Sequence, residues 1–232
     1  MPAFNPYGLK PWFTQRLAAI VRAADRHNIS PDVFTLVGVA GALIGAVVLA
    51  LPGFGVILPI WLSMVLIFVF GLVVRLGGAN LDGAVARARG VSKPTGFVLN
   101  ELGDRVSDLL LFFGLYLGAD EVFKPLVVLG AMIASIPTLV SVAGAAVGVS
   151  RINGGPFGKT ERSIVFVLFA GTLQTSVSGF AGVAFIVLLC ALYFGSAITS
   201  LQRYLTIKTK LEVDGTSWRD DQPTVIKGSG SK

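Results

Sequence analysis

Apolar residues run in six long blocks, separated by short clusters of charge, glycine and proline. The blocks cover approximately residues 33–52, 56–88, 96–118, 123–149, 161–177 and 179–204. A bilayer core is roughly 30 Å thick, so about 20 apolar residues in a helix cross it. Inside lipid every backbone amide needs an internal partner, which a helix supplies. The pattern predicts an all-α integral membrane protein with six transmembrane helices. The second and sixth blocks are long enough to project beyond the hydrocarbon.

Residues 9–26, LKPWFTQRLAAIVRAADR, read differently. Trp12, Leu17, Ile20 and Val21 recur at roughly helical spacing, with Lys10, Arg16 and Arg22 among them. This predicts an amphipathic helix lying in the cytoplasmic interface; a soluble helix packed on the bundle is the plainer alternative. Ser30-Pro31-Asp32 opens the first span, with Ser30 or Asp32 as its cap. From about Glu212 the chain is polar and is expected to be disordered. The expected organisation is an interfacial segment (1–30), a six-helix membrane domain (31–210) and a cytoplasmic tail (211–232).

Composition sharpens this picture. Of 232 residues, 53% are hydrophobic and 14% charged, too apolar for an ordinary soluble domain. The start, MPAFNPYGLKPWFTQ, has prolines and no early apolar run, so no signal peptide is expected. Cys190 is the single cysteine, which excludes an intrachain disulfide. His27 has no clustered cysteine or histidine partner, so no zinc site is expected.

Basic residues fall on alternate connections. Lys10, Arg16, Arg22 and Arg26 precede the first span; Arg87, Arg89 and Lys93 surround the second connection. Arg151, Lys159 and Arg162 surround the fourth, and Arg203, Lys208 and Lys210 follow the sixth span. The opposite loops carry only Lys124, beside Asp120 and Glu121. Positive charge stays in the cytoplasm, which places both termini there. The net charge of +6 is mostly this asymmetry. With no soluble basic domain, nucleic acid is not an expected partner, whereas anionic membrane lipids are.

The acids are harder to explain as topology. Asp82 ends the second span; Glu101, Asp104 and Asp108 fall in the first half of the third. Asn100, Asp104 and Asp108 are spaced i, i+4, i+8, so they form one helical stripe. Ionisable groups inside a membrane are costly and usually mark function. Converging carboxylates repel unless a cation intervenes, and oxygen ligands suit Mg²⁺ or Mn²⁺. Gly83 and Ala86 leave one helix face bare, with a similar gap at Gly96. Arg87, Arg89 and Lys93 supply cations for phosphate. Together these point to phosphoryl chemistry on a lipid. A solvated loop with positive-inside charges would explain the cations but not the acid stripe. Arg75, deeper in the second span, reads as a structural ion pair with Asp108. Gly38, Gly41 and Gly45 make a close-packing face.

DGAVAR, eight residues, then GFVLNELGD resembles the signature of the CDP-alcohol phosphotransferase family, D-x-x-D-G-x-x-A-R, a spacer, then G-x-x-x-D-x-x-x-D. Asp82, Gly83, Ala86, Arg87, Gly96 and Asp104 match; the first and third aspartates fall on Ala79 and Asn100. LNELGDRVSD and GGPFGKTER are similar to a divergent bacterial branch with Asn-Glu at the third aspartate and its neighbour. The resemblance implies a six-span fold with a cytoplasmic-side site, usually a homodimer in the inner membrane. It implies transfer of a phosphatidyl-type group from a CDP-linked lipid, such as CDP-diacylglycerol, to an alcohol, releasing CMP in phospholipid biosynthesis. One or two Mg²⁺ or Mn²⁺ ions would be held by Asp82, Asn100, Glu101 and Asp104, with Asp104 also the general base. Gly83, Ala86, Arg87, Lys93 and Gly96 would line the nucleotide pocket. Asp108, Arg151, Lys159 and Arg162 would meet the acceptor. The missing aspartates leave open an inactive CDP-lipid-binding homologue. A small transporter is disfavoured by the absence of a broken-helix repeat.

Overall fold

The computed structural model describes residues 10–91, 93–175 and 179–213. Among these residues the chain forms helices and no strand. Helix α1 is Lys10–Arg26, and α2 is Pro31–Ala50, continued by a 3₁₀ turn over Leu51–Phe54. Helix α3 covers Ile60–Ala88 and contains a π-helical stretch, Ile67–Val74. Helices α4 (Pro94–Gly118), α5 (Lys124–Ala146), α6 (Lys159–Leu173) and α7 (Phe180–Val213) follow.

Each predicted span falls on one of α2–α7. Four segments are long and apolar enough to cross a membrane by themselves: Pro31–Phe54, Ile60–Ala88, Lys124–Ala146 and Phe180–Glu212. The other two differ for physical reasons. Helix α4 has the length but carries Glu101, Asp104, Arg105 and Asp108 in its first two thirds. Helix α6 has 15 residues, which at 1.5 Å per residue is about 22 Å. It stops at Leu173, short of the expected 177, because the buried Gln174 side chain is engaged there. Its Oε1 accepts from Leu58 N at 2.7 Å and its Nε2 donates to Ser63 Oγ at 3.2 Å. Helix α7 instead continues past 204 to Val213. Of the polar tail expected from about Glu212, the first residues belong to α7, and the rest, from 214 onward, lies outside the described residues.

Local signals set the helix starts. Ser30 is the cap of α2: its Oγ accepts from Asp32 N, with Pro31 in the first turn. Pro94 opens α4, where its missing N–H has no partner to lose. Glu161 folds back to accept from Gly158 N at 2.8 Å, closing the start of α6.

Helix α2 packs against both α3 and α4, and small residues allow the approach. A Cβ on Gly78 would stand 2.4 Å from Phe34 O, and one on Gly114 2.2 Å from Ala46 O. Backbone meets backbone at both crossings, so neither position tolerates a side chain. The Gly38, Gly41 and Gly45 stripe faces α3 in the same way, as a packing face. Leu49, Ile67, Leu111, Leu115, Phe166 and Phe169 form the apolar centre. Large apolar side chains such as Leu36, Trp61, Phe68, Phe113, Leu139 and Phe194 point outward. A soluble monomer rarely carries so much exposed apolar surface, whereas a lipid-facing one does.

Arg89 ties the N-terminal helix down. Its Nε meets Asp25 at 3.0 Å, and its guanidinium donates to the Ile29 and Ala24 carbonyls. These contacts fix the turn between α1 and α2 against the end of α3. The chain order then gathers the start of α2, the end of α3, the start of α4, the end of α5 and the start of α6 at one end.

Candidate active site at one end of the bundle

Two adjoining clefts open at that end. The first, about 380 Å³, lies between the start of α2, the end of α3 and the first turns of α4. Gly83, Ala86, Arg87, Lys93 and Gly96, singled out in the sequence, all lie on its wall. A Cβ on Gly96 would meet no atom within 4 Å. Its bareness serves no contact with the described residues, and it leaves the backbone open to a ligand.

The second cleft, about 550 Å³, lies between α3, α4, the α5–α6 connection and α7. Asp82, Gly83, Arg87 and Asn100 border both clefts, so the two meet there. Six cations line the second: Arg87, Arg105, Arg151, Lys159, Arg162 and Arg203. Only three carboxylates share that wall, those of Asp82, Asp104 and Glu161. Such an excess in a partly desolvated recess suits an anion.

The acids divide into two kinds. Asp82 and Asp104 are buried yet reach the cleft. Asp82 accepts from Thr35 Oγ1 at 2.7 Å and from Gly83 N; Asp104 Oδ2 accepts from Lys159 Nζ at 3.1 Å. Glu101 and Asp108 are held away from both clefts. Glu101 ion-pairs with Arg151, whose guanidinium stacks 5.5 Å from the Phe97 ring centroid. Asp108 sits behind the wall, bound by Arg75, by Arg105 at 3.1 Å and by Arg162 at 2.9 Å. The Arg75–Asp108 pair is the structural one read from the sequence. Asp108, expected at the acceptor, reaches the cleft only through Arg105 and Arg162.

Among the described residues no three His, Cys, Asp or Glu side chains group to hold a metal. An amide does stand with the two carboxylates. Asn100 Oδ1 is buried and has no hydrogen-bond partner among the described residues, and Asn100 borders both clefts as Asp82 does. A buried orphan acceptor is costly and rare enough to need a reason. Two carboxylates with one free amide oxygen form a hard-oxygen donor set fitting a divalent cation. Ala79 borders the second cleft and offers no ligand atom. Exposed Asn80 spends its amide nitrogen on Leu76 O at 2.7 Å.

The residue reading left three parts of the site unassigned. Thr35 sits on α2, distant in sequence from the Asp82 it supports. Arg105 was visible as a charge inside the motif but had no role. Arg203, counted with the positive-inside residues after the sixth span, falls within the 179–204 block itself and is buried. It donates to Gly154 O at 2.9 Å, Asn153 O at 3.2 Å and Pro137 O at 2.8 Å, pinning the α5–α6 connection. A cation within a predicted span was the available signal.

No family model matches the chain. The phosphatidylinositol phosphate synthase of Mycolicibacterium smegmatis is 29% identical over 194 residues, covering 82% of each chain. An uncharacterized protein of Aquifex aeolicus is 31% identical over 211 residues, 88% of this chain and 95% of that one. The crystal structure of Mycobacterium tuberculosis phosphatidylinositol phosphate synthase with manganese and citrate superposes with a TM-score of 0.63. It is 26% identical, over 83% of this chain and 89% of that one. The same enzyme with CDP-DAG bound gives 0.62, at 26% identity over 83% and 94% of the two chains. The chain is a homologue of phosphatidylinositol phosphate synthases and shares their fold over more than four fifths of its length.

Proposed function

We propose that the chain transfers a phosphatidyl group from a CDP-linked lipid to a phosphorylated alcohol, releasing CMP. The observation that carries this reading is the pair of clefts meeting at Asp82 and Asn100. One has a bare glycine-alanine wall suited to a nucleotide; the other is rich in cations suited to a phosphate. Gly83, Ala86 and Gly96 let the nucleotide approach the backbone, and Arg87 and Lys93 face its phosphates. Arg151, Lys159 and Arg162 bind the acceptor's phosphate, and Asp104 takes the proton from its hydroxyl. The acceptor oxygen bonds to the lipid-side phosphorus as the phosphoanhydride bond breaks and CMP leaves. Asp82, Asn100 and Asp104 would hold a divalent ion, which when bound neutralises the diphosphate and the departing CMP. Asn100 thereby stands in for a carboxylate, and Glu101 orients Arg151.

Labelled CDP-diacylglycerol in detergent micelles, with Mn²⁺ and matched pairs of free and phosphorylated alcohols, tests this. CMP release is expected with phosphorylated acceptors and to be lost on chelation. Binding of CDP-diacylglycerol without CMP release from any acceptor would mark the chain as an inactive lipid binder.

The same proposal has six spans, a homodimer in the inner membrane, α1 in the cytoplasmic interface, and both termini and the clefts facing the cytoplasm. Cysteines engineered at positions 91, 120 and 157 in a Cys190→Ser background report on this. A membrane-impermeant thiol reagent outside intact cells is expected to reach 120 and miss 91 and 157. Labelling of all three from outside would overturn the arrangement.

A further inference from the structure

Arg75 has a relative exposure of 1% and lines neither cleft. Its guanidinium pairs with Asp108 and donates to Ser163 Oγ at 2.7 Å. Asp108 in turn holds Arg162 and Arg105, and Ser163 is the neighbour of Arg162 in the chain. One side chain therefore links α3 to α4 and to the first turns of α6, which present Lys159 and Arg162 to the second cleft. Three guanidiniums share the single Asp108 carboxylate. This is poor economy for stability: each ion taken out of water costs several kcal/mol, and one acid repays that incompletely. An apolar side chain of similar volume would pack the bundle without the cost. What the arrangement supplies is direction, since it fixes where Arg162 and Arg105 point.

The backbone leading to Arg75 is also unusual. The π-helical stretch Ile67–Val74 ends where Arg75 begins. Its i→i+5 bonding takes in more chain per turn, so it re-aims every residue after it, and such stretches recur at functional sites. It separates the register of the apolar half of α3 from the half bearing Arg75 and Asp82.

The geometry points to Arg75 as a positioning residue for phosphate recognition. Acting through Asp108 and Ser163, it holds Arg162 in the orientation that grips the phosphate of the acceptor. It touches no substrate itself. This rests on the reading of the second cleft as the acceptor site.

The test titrates inorganic phosphate calorimetrically into the full-length protein in detergent, with CMP and Mn²⁺ as the control for the first cleft. Wild type is expected to bind phosphate and Arg162→Gln to lose it. Arg75→Gln is expected to weaken phosphate by about tenfold, the lower end of what an outer-shell partner costs at metal sites, and to leave CMP affinity unchanged. Arg75→Lys keeps the charge, but its single ammonium does not span both Asp108 and Ser163. It is therefore expected to remain clearly weaker than wild type. Wild-type affinity in Arg75→Lys would assign the effect to charge alone and overturn positioning. So would wild-type affinity in Arg75→Gln, or a parallel loss of CMP binding that marks a general structural role. Failure of the wild type to bind phosphate would instead remove the acceptor reading itself, and the inference with it.

Discussion

Exchanging Asp104 for asparagine is expected to cut CMP release by about a thousandfold, because general-base loss typically costs 10²–10⁴ in rate. The change removes the proton acceptor and one of the two carboxylates, Asp82 and Asp104, that border the second cleft together with Asn100. The amide keeps the shape, so the fold should survive. Asp82→Asn removes the other carboxylate but no base, and is expected to cost about a hundredfold, or roughly 3 kcal/mol. Binding of Mn²⁺, followed by electron paramagnetic resonance, should fall in both variants. The same measurement separates Asn100 from Glu101. Asn100→Ala removes the orphan oxygen and should weaken Mn²⁺. Glu101→Gln should not, because Arg151 occupies that carboxylate. If Asp82→Asn and Asp104→Asn both keep Mn²⁺ and CMP release, the metal-centred mechanism is wrong.

Asp108→Ala should be the most damaging substitution for stability. It leaves Arg75 and Arg162 buried without a carboxylate, and Arg105 with Glu101 alone, at 3.9 Å. Removing one partner of a buried pair typically costs about 3–5 kcal/mol. At about 2–4 °C per kcal/mol for a domain of this size, the unfolding midpoint should drop by about 10 °C. Asp108→Asn, which still accepts hydrogen bonds, should lose less. Thermal unfolding in detergent, followed by circular dichroism, reads both. A midpoint unchanged in Asp108→Ala would mean the three guanidiniums are solvated and the buried network does not exist in the protein.

Much of the fold was legible because lipid restricts a chain to few solutions. An apolar block near 20 residues reads as a helix with little ambiguity, and all six blocks fall on helices. The misjudged end of α6, Leu173, was set by particular contacts rather than hydropathy. Gln174 stops α6 by bonding to Leu58 and Ser63, residues more than a hundred positions away. The glycine-alanine face of the first cleft was legible for a similar reason: Gly83, Ala86 and Arg87 lie within two turns of one helix, where spacing dictates the shared face.

The acids were legible as a stripe but not in their separate tasks. On one helix Glu101, Asp104 and Asp108 sit three and four residues apart, so periodicity treats them alike. Their partners arrive from elsewhere: Arg151 from the α5–α6 connection, Lys159 and Arg162 from α6, Arg75 from α3. The sequence by itself determined the helices, the end of the bundle that gathers charge, and the small and basic residues walling the first cleft. Those properties depend on hydropathy and on spacing within a helix. Only the tertiary structure decided that Asp104 reaches the cleft while Glu101 and Asp108 are held away from it. That outcome depends on which cation each carboxylate meets across a helix interface, and a burial-sensitive pairing between distant segments leaves no local pattern in the chain.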